Sequence, residues 1–369
     1  MARYNFSSTA LVIFGYPLIV VLCNFLNLNN SATLFGVLII CLFVISFKSF
    51  DLKRKYFLNI FFFFTIIMIR LFFDINTHGI NVYGDGVSSI VNVFLSVFVC
   101  FFISYSDNSS LKVFLNTCKI LVIILSILIF IFLILFHDIS FDSRENVFIG
   151  LGVISLPFVS LLSIIVLNNT TIKFSYKLFM TLLFVLLIII SGSRSMIVIT
   201  LFYFIYKLKV SFKYKLFVLP LIVSYIIYNI NIDLFALNRV FLLYENFDET
   251  SRLKIYDKSL QLIIDNFYTG SSFRIPSTLG FSYPHNILLE ITLGTGFFGL
   301  SLFLMLISRA SKIVYKSIFL FELFFISLLT AQFSFSILTN FYLIAILGFT
   351  INNVINFEKN NSISSPIKL

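Results

Sequence analysis

The chain has 369 residues, of which 59% are hydrophobic and only 11% charged, with a mean hydropathy of +1.04. Soluble domains are about a quarter charged because their surfaces must be hydrated, so a water-solvated globular domain is excluded and lipid is left as the main solvent. The net charge of +10 raises the question of nucleic acid, which the distribution of the basic residues answers below.

Apolar windows long enough to cross a bilayer as helices recur along the chain. They predict spans near 9–26, 32–47, 56–73, 87–105 and 113–136, then near 147–167, 178–191, 196–206, 216–228, 287–307, 317–334 and 338–357. The Phe61 to Phe64 run reads as simply lipophilic. The seventh and eighth spans are short and meet at Ser191-Gly192-Ser193-Arg194, which reads as a tight helical hairpin or as one long interrupted helix. Cys23, Cys41, Cys100 and Cys118 fall in or beside apolar stretches without metal-ligand spacing, so they read as small apolar packers, and no metal or cofactor is expected. Only Arg3 precedes the first apolar run and no small-residue cleavage pattern follows, so no cleavable signal peptide is expected.

The connections alternate in charge. One set carries Lys48, Lys53, Arg54 and Lys55, then Lys112, then Lys173 and Lys177, then Lys207, Lys209, Lys213 and Lys215, then Arg309, Lys312 and Lys316. Arg3, Lys119, Lys359 and Lys368 join that side, which the positive-inside rule makes cytoplasmic. The intervening loops, such as 74–86 and 137–146, are polar or acidic. The basic excess is therefore a topology signal, and no nucleic-acid partner is expected. The expected fold class is all-α: a polytopic transmembrane bundle of about 12 spans, N-in and C-in, forming a single integral membrane domain over 1–369.

One loop stands apart. Residues 229–286, between the ninth and tenth spans, form a long connection on the outer face, and loops of such length in a compact protein are usually functional. Within it Leu253, Tyr256, Leu260, Ile263 and Phe267 recur at helical spacing and Gly270 follows as a stop. They predict an amphipathic helix that lies on the membrane face or caps the bundle. The tail from Glu358 reads as a plain solvated terminus.

Few residues offer chemistry. His78 and His137 sit in short outer loops and read as surface residues. His285 differs: Tyr283-Pro284-His285-Asn286 closes the large loop where it meets the next helix, at a boundary where a titratable group meets both lipid and sugar hydroxyls. Gly294, Gly296 and Gly299 follow, and read as points of close helix approach. Arg194, flanked by Ser191, Ser193 and Ser195, reads either as a bidentate phosphate ligand or as a snorkelling interfacial arginine. Arg252 opens the loop helix, where it reads either as an ordinary surface arginine or as a second positive charge facing the same anion. Arg70 lies inside the third span and either faces the bundle interior or snorkels outward.

His285-Asn286, nine residues, Gly296, two residues and Gly299 resemble the H-N-x9-G-x2-G signature of O-antigen ligases and the similar pattern of O-antigen polymerases. Ser191-Gly192-Ser193-Arg194 looks like the S-x-S-R-G element of the same superfamily, with Ser195 in place of its glycine. Ser251-Arg252-Leu253-Lys254-Ile255-Tyr256 resembles the start of the family's periplasmic loop helix, with Phe267 where a proline is common. The resemblance covers 191–299, and it makes 229–286 a periplasmic loop of a bacterial inner-membrane protein of lipopolysaccharide biosynthesis.

It implies a metal-independent glycosyltransferase whose donor glycan is carried on undecaprenyl diphosphate. Arg194 and Arg252 would hold the diphosphate, with Ser193, Asn286 and Tyr256 as further substrate contacts. His285 would take the proton of the attacking hydroxyl, or bind the acceptor without proton transfer. The expected function is repeat-unit polymerase, with membrane lipid and a chain-length regulator protein as partners. O-antigen ligase is the nearest alternative. A lipid-linked oligosaccharide flippase is the second, although charges within spans are few (Arg70, Glu290, Glu322), and an assembly scaffold is the last. Reporter fusions at Asp257 and Asp138 are expected to read periplasm and those at Lys213 and Lys359 cytoplasm. A cytoplasmic signal from Asp257 overturns the topology, because Arg252 and His285 would then face the wrong compartment.

Overall fold

The computed structural model describes residues 6–26, 28, 31–47, 57–79, 91, 93–135, 155–191, 193–208, 251–277, 280–314, 317–333, 336–338 and 340–363. Ahead of the loop come α1 Ser8–Phe25, α2 Ser31–Phe47, α3 Phe57–His78 and α4 Cys100–Tyr105, which continues a π-helical turn, Leu95–Val99. They are followed by α5 Leu111–Leu135, α6 Ser155–Asn168, α7 Phe174–Ile190 and α8 Arg194–Lys207. The second half holds α9 Ser251–Asp265, an antiparallel hairpin of β1 Ile275–Ser277 and β2 Gly280–Ser282, α10 Ile287–Val314, α11 Ile318–Phe333 and α12 Phe341–Ile363. The fold is helical, as the apolar windows require: a helix satisfies its own backbone polar groups where no water can.

Among the described residues, four helices are long and apolar enough to cross a membrane: Ser8–Phe25, Leu58–His78, Leu111–Ile134 and Ile287–Lys312. Six shorter apolar helices accompany them. The expected span 216–228, the loop residues 229–250 and His137 lie outside the described residues. α12 runs through the middle of the bundle, buried from Leu343 to Asn352, and packs on α1, α4, α10 and α11. The phenylalanine run divides as a lipophilic segment should: Phe61 and Phe62 are exposed, while Phe63 and Phe64 are buried and Phe63 stacks on Phe303 of α10 at 5.7 Å.

Buried carboxylates tie helix ends together. Asp107, between α4 and α5, accepts hydrogen bonds on Oδ2 from Ser7 Oγ (2.5 Å), Thr9 N (2.9 Å) and Thr9 Oγ1 (2.7 Å). An anion at the start of α1 meets unsatisfied N–H groups and the positive end of the helix dipole. Asn352 Nδ2 of α12 donates to the Asp107 carbonyl, so three parts of the chain converge there. A second knot forms on Glu322 of α11, which pairs with Lys207 Nζ at 2.5 Å and accepts from Asn169 Nδ2 (2.8 Å) and Tyr203 OH (3.3 Å).

Several boundaries differ from the sequence reading; α10, for one, runs on past residue 307 to Val314 and takes in Arg309 and Lys312. α3 continues through Asp74, read as the start of an outer loop, to His78, because no breaker occurs before Gly79, whose φ of +85° supplies the left-handed cap. α12 continues past Glu358 to Ile363, so the tail begins as helix. At Ser191-Gly192-Ser193-Arg194 the structure has two separate helices: α7 ends at Ile190 and α8 begins at Arg194, with Ser193 at the N-cap position.

α10 is broken at Gly296, whose φ of 63° and ψ of −162° lie in a region reserved for glycine. In a continuous helix Phe297 N–H would donate to Leu293 C=O. Here Phe297 N donates to Phe267 O (2.8 Å), and Leu293 O accepts from Ser271 N (2.7 Å). One helical hydrogen bond is thus exchanged for two to the loop. Gly270, at φ 74°, turns the loop at this point, and a Cβ there would sit 2.6 Å from the Gly294 carbonyl carbon. A Cβ on Gly296 would overlap the Tyr268 carbonyl. Gly296→Ala is therefore expected to cost about 1–3 kcal/mol in backbone strain alone and to undock the loop. The measurable result is a lower thermal midpoint in detergent and faster tryptic cleavage at Lys254 and Lys258. Gly36→Ala, where a Cβ would meet only Leu95 at 4.0 Å, should leave both unchanged.

Candidate functional site

The loop returns from Gly270 to α10 by an extended path that is anchored twice. Asp74, wholly buried near the end of α3, accepts from Ser272 Oγ (2.9 Å) and Phe273 N (3.2 Å). Its other oxygen takes Arg70 Nε at 2.8 Å, a turn earlier on the same helix. Arg70 therefore neither hides in the interior nor snorkels alone; its charge is matched by a buried carboxylate. Phe273 fills the space opposite Gly294, where a Cβ would overlap its ring.

The second anchor is Glu290, in the first turn of α10 and wholly buried. It pairs with Arg274 Nη1 at 3.5 Å and accepts from Ile337 N at 2.8 Å and from Ser336 Oγ. One carboxylate therefore holds the loop, the start of α10 and the connection between α11 and α12. Arg274 also lies over the Tyr283 ring, 4.8 Å from its centroid, and the Tyr283 ring meets the His285 ring at 4.1 Å between centroids. Cation, phenol ring and imidazole are thus in series, the two rings tilted by 43°.

His285 is half-buried and, among the described residues, is the non-glycine residue with positive φ (51°). Histidine tolerates this region better than most residues. The strained residue is held on both sides: the tilted Tyr283 ring lies against its ring, and Asn286 caps α10 by accepting from Leu288 N and Leu289 N, both at 3.1 Å, on Oδ1. Imidazole direction is thus set by the loop end and the helix start together.

The other residues singled out from sequence divide. Tyr283, His285 and Asn286 come together with Arg274 and Glu290. Arg194 and Arg252 stand at the first turns of α8 and α9, and their side chains lie outside the described residues. Ser193 is buried beside Ser195, their hydroxyls 3.5 Å apart, and Tyr256 is half-buried on α9. His78 is exposed, as expected. The motif glycines are points of close approach, but not of another helix as read: Phe273 and Tyr268 of the loop crowd Gly294 and Gly296, and Thr295 of the same helix crowds Gly299. The predicted face of α9 is met in part: Ile263 packs on α10 and Tyr256 is half-buried, but Leu260 and Phe267 are exposed, the side chain of Leu253 lies outside the described residues, and Ile255, Ser259 and Leu262 make up the rest of the packed side. Sequence reading took the more strongly apolar stripe, whereas the bundle takes a neighbouring one that includes a serine. Arg274 was missed altogether. The signal for it was Glu290, since a carboxylate inside a span calls for a cation.

Residues 179–304 match the family model described as O-antigen ligase, a stretch beginning within α7 and ending within α10. The match supports the resemblance of this stretch to the O-antigen polymerase and ligase superfamily. No curated protein matches the chain. Among the described residues no cluster of three or more histidine, cysteine or acidic side chains is arranged to hold a metal ion.

Removing one member of a buried ion pair leaves the other uncompensated, at about 3–5 kcal/mol. Glu290→Ala is expected to destabilise by that amount, and Glu290→Gln by less, because an amide oxygen still accepts from Ile337 N. Arg274→Ala combined with Glu290→Ala should cost less than the two single changes added. Thermal unfolding of the four proteins in detergent measures the coupling, and strict additivity would exclude the pair as a working contact.

Proposed function

We propose, for a member of the O-antigen polymerase and ligase superfamily, that the reaction is transfer of a glycan from undecaprenyl diphosphate onto a second lipid-linked repeat unit at the periplasmic face. The protein is then a repeat-unit polymerase of a bacterial inner membrane, with about 12 spans and both termini in the cytoplasm. The observation that carries this reading is His285: the signature histidine held at positive φ by a ring on one side and a helix cap on the other. Strained, over-determined backbone is a feature of functional sites.

In the step itself the acceptor hydroxyl oxygen attacks the anomeric carbon. The bond from that carbon to the diphosphate oxygen breaks, and its electron pair leaves with the diphosphate. His285 takes the hydroxyl proton; its Nδ1 is buried, so Nε2 is the nitrogen assigned to the task. Arg194 and Arg252 hold the departing diphosphate as planar forks, and Ser193 and Tyr256 add hydroxyl contacts. Asn286 has its oxygen on the helix, so it would offer the sugar only its amide donors. Attack opposite the leaving group inverts the anomeric centre. No metal enters this scheme, and a chain-length regulator is the protein partner it invites.

The alternative acceptor is the lipid A core, and the description of the matching family, O-antigen ligase, favours it. One experiment separates them. His285→Ala should lower transfer by about 10²–10⁴-fold, the worth of a positioned acid–base group. In cells a polymerase so weakened leaves single repeat units on the core, because a separate ligase still works. A weakened ligase leaves a bare core and polymer stranded on the lipid carrier. Gel analysis of lipopolysaccharide that shows one repeat per core supports polymerase. The second pattern moves the assignment to ligase, and an unchanged ladder removes His285 from the mechanism.

A further inference from the structure

The large outer connection is not merely draped over the bundle. Ile263, Ile275 and Leu293 pack together with Ile255, Leu262 and Leu289 against them, so α9 runs beside the first turns of α10. Further along, Phe267 stacks on Phe297 with centroids 5.6 Å apart and accepts its N–H. Gly270 then reverses the chain, which climbs back past Leu293 and Glu290 to His285. Helix in, glycine turn, extended segment out is the form of a re-entrant hairpin.

Its depth follows from α10. Arg309 and Lys312 lie toward the far end of the 28-residue helix. A hydrocarbon core of about 30 Å spans about 20 residues. Counted back from those cations, its other boundary falls at roughly residues 289–292, which leaves Gly296 and Phe297 roughly 6–12 Å inside it. The turn at Gly270 is bonded to that level.

Re-entrant backbone is tolerated in lipid only where its polar groups are satisfied. Here they are: Gly270 N donates to Asn266 O (2.8 Å), Ser271 N to Leu293 O, and Phe267 O accepts from Phe297 N. The side chains sort as an immersed element requires. Ile255, Ser259, Leu262 and Ile263 face the bundle, and Lys254, Asp257, Lys258, Gln261 and Asp265 are an exposed polar stripe. A third side is apolar and exposed: Leu260, Ile264 at 75% and, past the helix end, Phe267 and Tyr268 at 65%. It is continuous with Phe297 and with Phe298 of the spanning helix, itself 60% exposed.

We infer that the segment from α9 to β1 is a re-entrant hairpin set into the membrane leaflet at the α10 N-terminus, with its Leu260, Ile264 and Tyr268 side in contact with lipid acyl chains. The occupant of that side is bilayer lipid, because the surface continues the lipid-facing surface of a spanning helix. The inference rests on α10 crossing the membrane and is independent of the reaction assigned to His285.

The chain contains no tryptophan, so a single introduced one reports its own surroundings. Ile264→Trp, Tyr268→Trp and Lys258→Trp, each in the full chain reconstituted into phosphatidylcholine vesicles, place the probe on the two exposed sides. The first two should emit to the blue, lose more than half their emission to phosphatidylcholine brominated on its acyl chains, and resist aqueous iodide. Lys258→Trp should show the reverse. Iodide quenching of Ile264→Trp and Tyr268→Trp without quenching by brominated lipid would overturn the proposal and leave that side to a protein partner. Equal brominated-lipid quenching of all three would also overturn it, since the polar stripe would then be buried in lipid. A variant that aggregates is replaced by Leu260→Trp, which lies on the same side and carries the same expectation.

Discussion

The architecture around the loop turns on one hydrogen bond that α10 does not make. Breaking the helix at Gly296 releases Leu293 C=O and Phe297 N–H, and both are taken up by the loop at Ser271 and Phe267. Left unmade in an apolar surround, these groups would each cost several kcal/mol. The loop is therefore required by the helix as much as the helix by the loop. The spacing of the signature follows: Gly296 must lack a side chain to adopt its backbone and admit Tyr268, and Gly299 must lack one because Thr295 occupies that space. His285 is placed at the far end of this interlock, one residue before the cap.

Buried carboxylates do the corresponding work elsewhere. Asp74, Asp107, Glu290 and Glu322 each bind two or three separate parts of the chain. In lipid the hydrophobic effect gives helices little reason to prefer one another over acyl chains, so packing and buried polar contacts specify the arrangement. An acid among apolar helices has few alternatives to its native partners. That makes it a strong device for specificity even where its net contribution to stability is small.

This also explains what was legible in the sequence. The helices were, because the bilayer demands long apolar windows whatever their neighbours. The break between α7 and α8 was, because Ser191-Gly192-Ser193 interrupts such a window. Ends were less so: Asp74 looks like a loop residue until Arg70, Ser272 and Phe273 are seen around it. The face of α9 was misread in part because two apolar stripes share that helix, one for protein and one exposed, and periodicity cannot tell them apart. The Arg274–Glu290 pair was hidden for another reason. It joins residues 16 apart across a β-hairpin, so no helical or strand period connects them.

These pairings constrain the electrostatics around the loop. The two buried acids there are each matched: Asp74 by Arg70 and Glu290 by Arg274. A matched pair presents little net charge to an approaching anion, and drawing either arginine away would strand a buried carboxylate. Attraction for a lipid diphosphate has therefore to come from cations outside these pairs, the role proposed for Arg194 and Arg252. Arg274 acts instead through shape. By stacking on Tyr283 while bound to Glu290, it fixes the ring against which His285 rests. In the proposed division of labour the fold's own ion pairs would orient the base, and the charge that meets the leaving group would be carried by the starts of α8 and α9.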